Sequence, residues 1–132
     1  MLNIFCDGGA RGNPGPAAYG FVAKNGPHII AKNGGYLGIA TNNVAEYTAI
    51  IKALNYLARD FKGQDLEIFL DSKLAASQLA GLYKVKNAKI RELIMQIRQL
   101  EPKFGQIRYT HIPREKNKEA DRLVNLALDH LI

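Results

Sequence analysis

Four carboxylates stand where apolar segments of this chain begin or end. Asp7 follows an apolar run at residues 2–6, and Asp71 follows another at residues 66–70. Glu46 falls in the first turn of a long helical pattern, and Asp121 one turn into the last one. Each has an ordinary structural use. Asp7 can open an Asp-Gly turn. Asn43-Val44-Ala45-Glu46 fits a capping box in which Glu46 reaches back to the cap. Asp71 can cap a helix beginning at Ser72, and Asp121 can complement a helix dipole. Those uses do not explain the combination. In an open α/β sheet, functional groups gather at the carboxyl ends of neighbouring parallel strands. Asp7 and Asp71 occupy such ends if their strands are neighbours. Clustered carboxylates repel one another unless protons or cations neutralise them. Their oxygens suit hard Mg²⁺ or Mn²⁺, and two such ions balance four negative charges. An acidic metal cluster on a basic protein points to phosphodiester chemistry, which spacing alone leaves open.

The elements that must position these acids are legible in outline. Apolar runs at residues 2–6, 17–23 and 28–36 are separated by Gly/Asn/Pro clusters and predict three antiparallel strands. Between residues 43 and 59, Val44, Tyr47, Ile51, Leu54 and Ala58 recur at helical spacing. A strand at 66–70 and a helix at 72–82 follow. A second amphipathic helix spans 87–100, a fifth strand 106–110 and a closing helix 118–131. The order β-β-β-α-β-α-α-β-α implies one mixed sheet with helices packed on its faces. The glycine-rich stretch GGARGNPG runs into a strand, whereas Walker and dinucleotide loops open a helix. An ATP or NAD site is disfavoured.

Composition narrows the class. With 132 residues, 47% hydrophobic and 23% charged, the expectation is a single globular domain over residues 1–132. No apolar run approaches the ~20 residues that span a bilayer, so no membrane partner is expected. The start MLNIFCDGG lacks the charged-then-apolar pattern of a signal peptide. One cysteine, Cys6, excludes an internal disulfide and fits a reducing cytoplasm. The net charge of +6 favours polyanions. The excess is concentrated in residues 84–98, where five basic groups face one acid. Lys84, Lys86 and Lys89 lead that patch and are candidate substrate contacts; solubility is the plainer use of them.

Four blocks then carry a family resemblance. DGGARGNPGPAAYG (residues 7–20), TNNVAEY (41–47), LDS (70–72) and HIPREKNKEADRLVN (111–125) resemble the signatures of ribonuclease H type 1. They occur in order and at family-like intervals over nearly the whole chain. The Arg-Glu pair in the last block resembles the compact bacterial and archaeal branch. The resemblance implies an α/β fold: a mixed five-stranded sheet, its first three strands antiparallel, with helices on both faces. It implies a monomeric enzyme that hydrolyses the RNA strand of an RNA–DNA hybrid, leaving 5′-phosphate and 3′-hydroxyl ends. Duplex RNA is a second candidate substrate. Asp7, Glu46, Asp71 and Asp121 would hold two divalent ions, Mg²⁺ or Mn²⁺, at the scissile phosphate. His111 matches a mobile-loop histidine linked to catalysis or product release, and Arg114 marks the Arg-Glu variant.

Substrate contacts follow from the same resemblance. The backbone at Ala10 and Gly12 would touch RNA 2′-hydroxyls, which distinguish RNA from DNA. Asn13, Asn42 and Asn43 would reach base edges in the minor groove. Thr41 and Asn87 would hold a DNA-strand phosphate. Three features depart from larger members. Ile39 stands where many carry an arginine in the phosphate pocket. Only residues 82–86 separate the two middle helices, so the lysine-rich protrusion is missing. No amino-terminal hybrid-binding module is expected. A junction resolvase or DNA nuclease, and a non-catalytic nucleic-acid-binding domain, are the competing readings. The TNN block argues against the first, and four retained acids argue against the second.

Overall fold

The computed structural model describes residues 1–82 and 84–132, so Tyr83, in the predicted link between the middle helices, lies outside the described residues. Five strands form one sheet: β1 (Leu2–Ala10), β2 (Gly15–Asn25), β3 (His28–Ala40), β4 (Leu66–Leu70) and β5 (Ile107–His111), in the order β3-β2-β1-β4-β5. β1, β2 and β3 pair antiparallel, while β4 pairs parallel with both β1 and β5. The described residues also hold four α-helices, α1 (Asn42–Leu57), α2 (Lys73–Leu79), α3 (Ala88–Leu100) and α4 (Lys118–Leu128), and two single 3-10 turns at Glu101–Lys103 and Arg114–Lys116. The expected fold is present, with helices on both faces.

Alternation along β1 builds the main core. Leu2, Ile4 and Cys6 are buried with Tyr47, Ile50, Leu54 and Leu57 of α1 and with Ile90, Leu93 and Ile97 of α3. On the opposite face, Ala120, Leu123, Val124, Ala127 and Leu128 form a buried stripe along α4 at helical spacing. Part of that stripe packs with Ala18 of β2 as a second cluster. No described helix is long and apolar enough to cross a membrane.

Several boundaries differ from the sequence expectation. The first strand does not stop at Asp7: its pairing with β2 continues through Asp7–Gly20, Gly8–Tyr19, Gly9–Ala18 and Ala10–Ala17. The glycines here serve close packing rather than a turn. A Cβ on Gly8 would lie 2.2 Å from the carbonyl carbon of Ala45 in α1. On the other face, a Cβ on Gly20 would lie 2.6 Å from the carbonyl oxygen of Ala120 in α4. The predicted capping box is also replaced. Thr41 caps α1, its Oγ1 accepting from the Val44 N–H at 3.2 Å, which releases Glu46 from a capping role. Ser72, not Asp71, caps α2, which ends at Leu79 rather than reaching residue 82. α4 ends at Leu128 instead of 131, because His130 takes the left-handed conformation (φ +57°) that closes helices.

Candidate active site

Parallel pairing brings the first two acids together. Cys6 is in register with Leu70, so Asp7 and Asp71 leave that pair side by side where β4 ends. The close approach of α1 over Gly8 delivers Glu46, and that of α4 over Gly20 delivers Asp121. Asp7, Glu46, Asp71 and Asp121 line one cleft of about 320 Å³, together with Ala10, Arg11, Asn42, Arg114 and Asn125.

The electrostatics of this cleft are those of crowded carboxylates. Burial pushes the Asp7 carboxyl up to about 8, reinforced by the charges of Asp71 and Asp121 and a side-chain hydrogen bond with Asp121; the Gly8 N–H opposes the rise. Burial likewise pushes Glu46 up to about 7. A hydrogen bond with Ser72 and the nearby Arg114 guanidinium lower it, while Asp71 raises it. Glu46 Oε2 is buried without a hydrogen-bond partner. An unpaired buried oxygen of this kind is costly unless something positive meets it.

A second cleft, of about 460 Å³, lies between the starts of α1 and α3. Asn13, Thr41, Asn43, Gln78, Lys86, Asn87 and Lys89 are among its lining residues. Thr41 and Asn87 are the N-caps of those two helices, and Asn87 Oδ1 accepts from the Ile90 N–H at 3.0 Å. Two helix N-termini and two lysines therefore face one space, an arrangement suited to an anion. The glycine-rich loop is stapled to the start of α1. The Ala10 N–H donates to Asn42 Oδ1 at 2.8 Å, and the Asn42 N–H donates to Asn13 Oδ1 at 3.0 Å. Both side-chain oxygens are thereby occupied. The amide NH₂ groups of Asn13 and Asn42 keep their donors, which suit the acceptors of a minor groove.

Other predicted residues fall outside these clefts. Gly12 is exposed in the loop with φ +96°. His111 is exposed at the end of β5, in register with Leu70, the residue before Asp71. Lys84 is exposed and lines neither cleft, unlike Lys86 and Lys89. Ile39 is 70% exposed on β3.

Comparison with known proteins agrees with this architecture. A protein-family model described as reverse transcriptase-like matches residues 5–127. Ribonuclease HI of Halobacterium salinarum is 43% identical over 129 residues, covering 97% of this chain. The chain belongs to the ribonuclease H type 1 family. The bifunctional protein Rv2228c of Mycobacterium tuberculosis is 41% identical over 128 residues, 96% of this chain. This ribonuclease H chain spans 35% of the mycobacterial protein's length and 64% of the haloarchaeal one's. The solved structure of LC11-RNase H1 in complex with RNA/DNA hybrid is 39% identical, covers 99% of each chain and superposes with a TM-score of 0.94.

The carboxylate cleft suits divalent cations by its donor set: carboxylate oxygens, those of Asp7 and Glu46 on groups with raised pKa values, and one buried Glu46 oxygen without a partner. Among the described residues, no three acidic, histidine or cysteine side chains close into a ready-made cage. The four acids instead face one another across a cleft of about 320 Å³.

Three residues at these clefts carry no signal in the sequence that marks them out. Arg11 lines the carboxylate cleft, where Asp129 Oδ1 holds its guanidinium at 2.6 Å. Gln78 lines the second cleft and accepts a hydrogen bond from the Tyr47 hydroxyl. Asn117 is 1% exposed and bonds both Asp71 and the Cys6 carbonyl. Its place before a helix suggests a cap, yet its side chain makes no cap bond. Nothing in the spacing separates these three from ordinary surface or capping residues.

Proposed function

We propose that residues 1–132 form one catalytic domain, a metal-dependent endonuclease that hydrolyses the RNA strand of RNA–DNA hybrids to 5′-phosphate and 3′-hydroxyl ends. The observation that carries this reading is the convergence of Asp7, Glu46, Asp71 and Asp121 from four elements on one cleft, beside a second cleft with anion-binding character. Two divalent ions, Mg²⁺ or Mn²⁺, held by those four acids would activate the attacking water and stabilise the leaving oxygen. Asp7, whose carboxyl burial and its acidic neighbours push up to about 8, would have to ionise to hold such an ion. The Ser72 hydrogen bond and, to a smaller extent, Arg114 partly offset the burial that raises Glu46. His111, exposed at the strand end next to Asp71, would serve catalysis or product release.

Substrate selection belongs to the second cleft and the stapled loop. Thr41 and Asn87, with Lys86 and Lys89, hold a phosphate of the DNA strand. Asn13, Asn42 and Asn43 donate to minor-groove acceptors, and the backbone at Ala10 and Gly12 meets RNA 2′-hydroxyls. The enzyme works as a monomer in the reducing cytoplasm, consistent with a free, buried Cys6. Matched RNA–DNA hybrid, duplex DNA and duplex RNA, each incubated with Mg²⁺ or Mn²⁺, test the assignment. Cleavage confined to the RNA strand of the hybrid is the expected result, and cleavage of duplex RNA would widen the substrate class. Preferential cleavage of duplex DNA, or no cleavage of any substrate, would overturn it.

A further inference from the structure

One buried residue, through its side chain and its backbone, touches the surroundings of every acid in the cleft except Glu46. Asn117 Nδ2 donates to the Cys6 carbonyl, next to Asp7, at 2.9 Å and to Asp71 Oδ2 at 3.1 Å. Its backbone N–H donates to the Arg114 carbonyl at 2.9 Å, and its own carbonyl accepts from the Asp121 N–H at 3.1 Å. Among the described residues it is the one polar or charged side chain, tyrosine and cysteine aside, that is fully buried, at 1% exposure. The chemistry fixes its orientation. A carbonyl and a carboxylate both accept, so the group between them must be the NH₂ end of the amide. The other end, Oδ1, is left buried without a partner. A core chosen for stability alone would not keep such an atom; local inconsistencies of this kind concentrate at functional sites.

We propose that Asn117 is a positioning residue for the metal-binding acids. It fixes Asp71 through Oδ2, leaving the other carboxylate oxygen for an ion, and it ties the start of α4 to the end of the β1–β4 pair. The spacing of Asp71, Asp121 and the chain at Asp7 is thereby set from one point behind the cleft. This rests on the carboxylates binding divalent ions. Partners that orient ligands in this way typically carry about 10–100-fold in metal affinity or activity.

Mn²⁺ binding to the substrate-free protein, measured by calorimetry, is the deciding experiment, with turnover measured alongside. Asn117→Ala should lower Mn²⁺ affinity and kcat about 10-fold or more. KM for hybrid should stay near wild type, because Asn117 lines neither side of the second cleft. In an Asp71→Asn background, adding Asn117→Ala should cost much less Mn²⁺ affinity, since most of its effect runs through Asp71. If Asn117→Ala does not fold by circular dichroism, Asn117→Ser, which keeps one donor, carries the same comparison. A folded variant with wild-type Mn²⁺ affinity and kcat would overturn the proposal. So would an undiminished effect of Asn117→Ala in the Asp71→Asn background. A wild-type protein that binds no Mn²⁺ would instead overturn the metal-dependent reading on which it rests.

Discussion

Asp7 bears the heaviest electrostatic load of the four acids, because burial and two carboxylate neighbours all oppose its charge. The direction of the resulting pH dependence follows. An acid whose pKa rises on folding, here from its ordinary 3.8 to about 8, binds its proton more tightly in the native state. The folded protein is then favoured at low pH and loses that advantage as pH climbs from about 4 toward 8. Glu46, raised to about 7, acts in the same sense. Without divalent ions, the melting temperature should decline across that window. Asp7→Asn should flatten the decline, and millimolar Mg²⁺ should offset it by binding the ionised acids. Thermal scans from pH 4 to 8, with Mg²⁺ and with a chelator, provide the check. Asp71→Asn tests the chemistry itself. It preserves shape while removing one charge, so kcat should fall by roughly two to three orders of magnitude. Hybrid affinity, measured without turnover, should persist.

At the scale of elements, two glycines set how closely the helices approach the sheet. Gly8 sits under the backbone of Ala45, and Gly20 sits under Ala120. In both cases the nearest obstructing atom is main chain, which cannot rotate aside as a side chain does. Gly20→Ala should therefore displace α4 and carry Asp121 away from Asp7. Overpacking of this kind costs roughly 1–3 kcal/mol, and a backbone clash belongs at the upper end. Urea unfolding should report the loss of stability, and metal titration a weaker site. A variant as stable as wild type, with an unaltered Mg²⁺ requirement, would show that α4 does not depend on this contact. Glu46 depends on its element in a different way. Thr41 caps α1, which leaves the Glu46 carboxylate free to face the cleft.

For the molecule as a whole, the proposed hybrid substrate is a long polyanion that a small basic domain would have to grip. Lys86 and Lys89 line the second cleft beside Asn87, whereas Lys84 stands outside it. Each duplex phosphate contact contributes about −0.9 to the slope of log affinity against log salt. Replacing Lys86 and Lys89 with Ala should shallow that slope by roughly 2 units, with little change in kcat at saturating hybrid. Lys84→Ala should leave the slope nearly unchanged. Binding measured over a series of salt concentrations distinguishes the two cases, and equal effects from all three lysines would point to a diffuse surface field instead of a pocket.

Much of this was legible in the residues themselves. Apolar runs bounded by Gly/Asn/Pro clusters marked the first strands, helical spacing marked the helices, and the acids stood at their ends. The order of strands and helices already implied a mixed sheet. What the sequence could not decide was contact between segments distant along the chain. Asp-Gly-Gly carries a turn signal, yet the strand runs on, because pairing with β2 and the need to admit Ala45 outweigh local preference. Asn43 and Glu46 match a capping box, yet Thr41 takes the cap. Asn117 looks like a helix cap until β1 and β4 lie beside it and offer a carbonyl and a carboxylate to its amide. Residue types and their periodicity determine which groups are available and on which face. Only the folded chain decides which of them meet, because a hydrogen bond between residues 117 and 6 depends on every packed element between them.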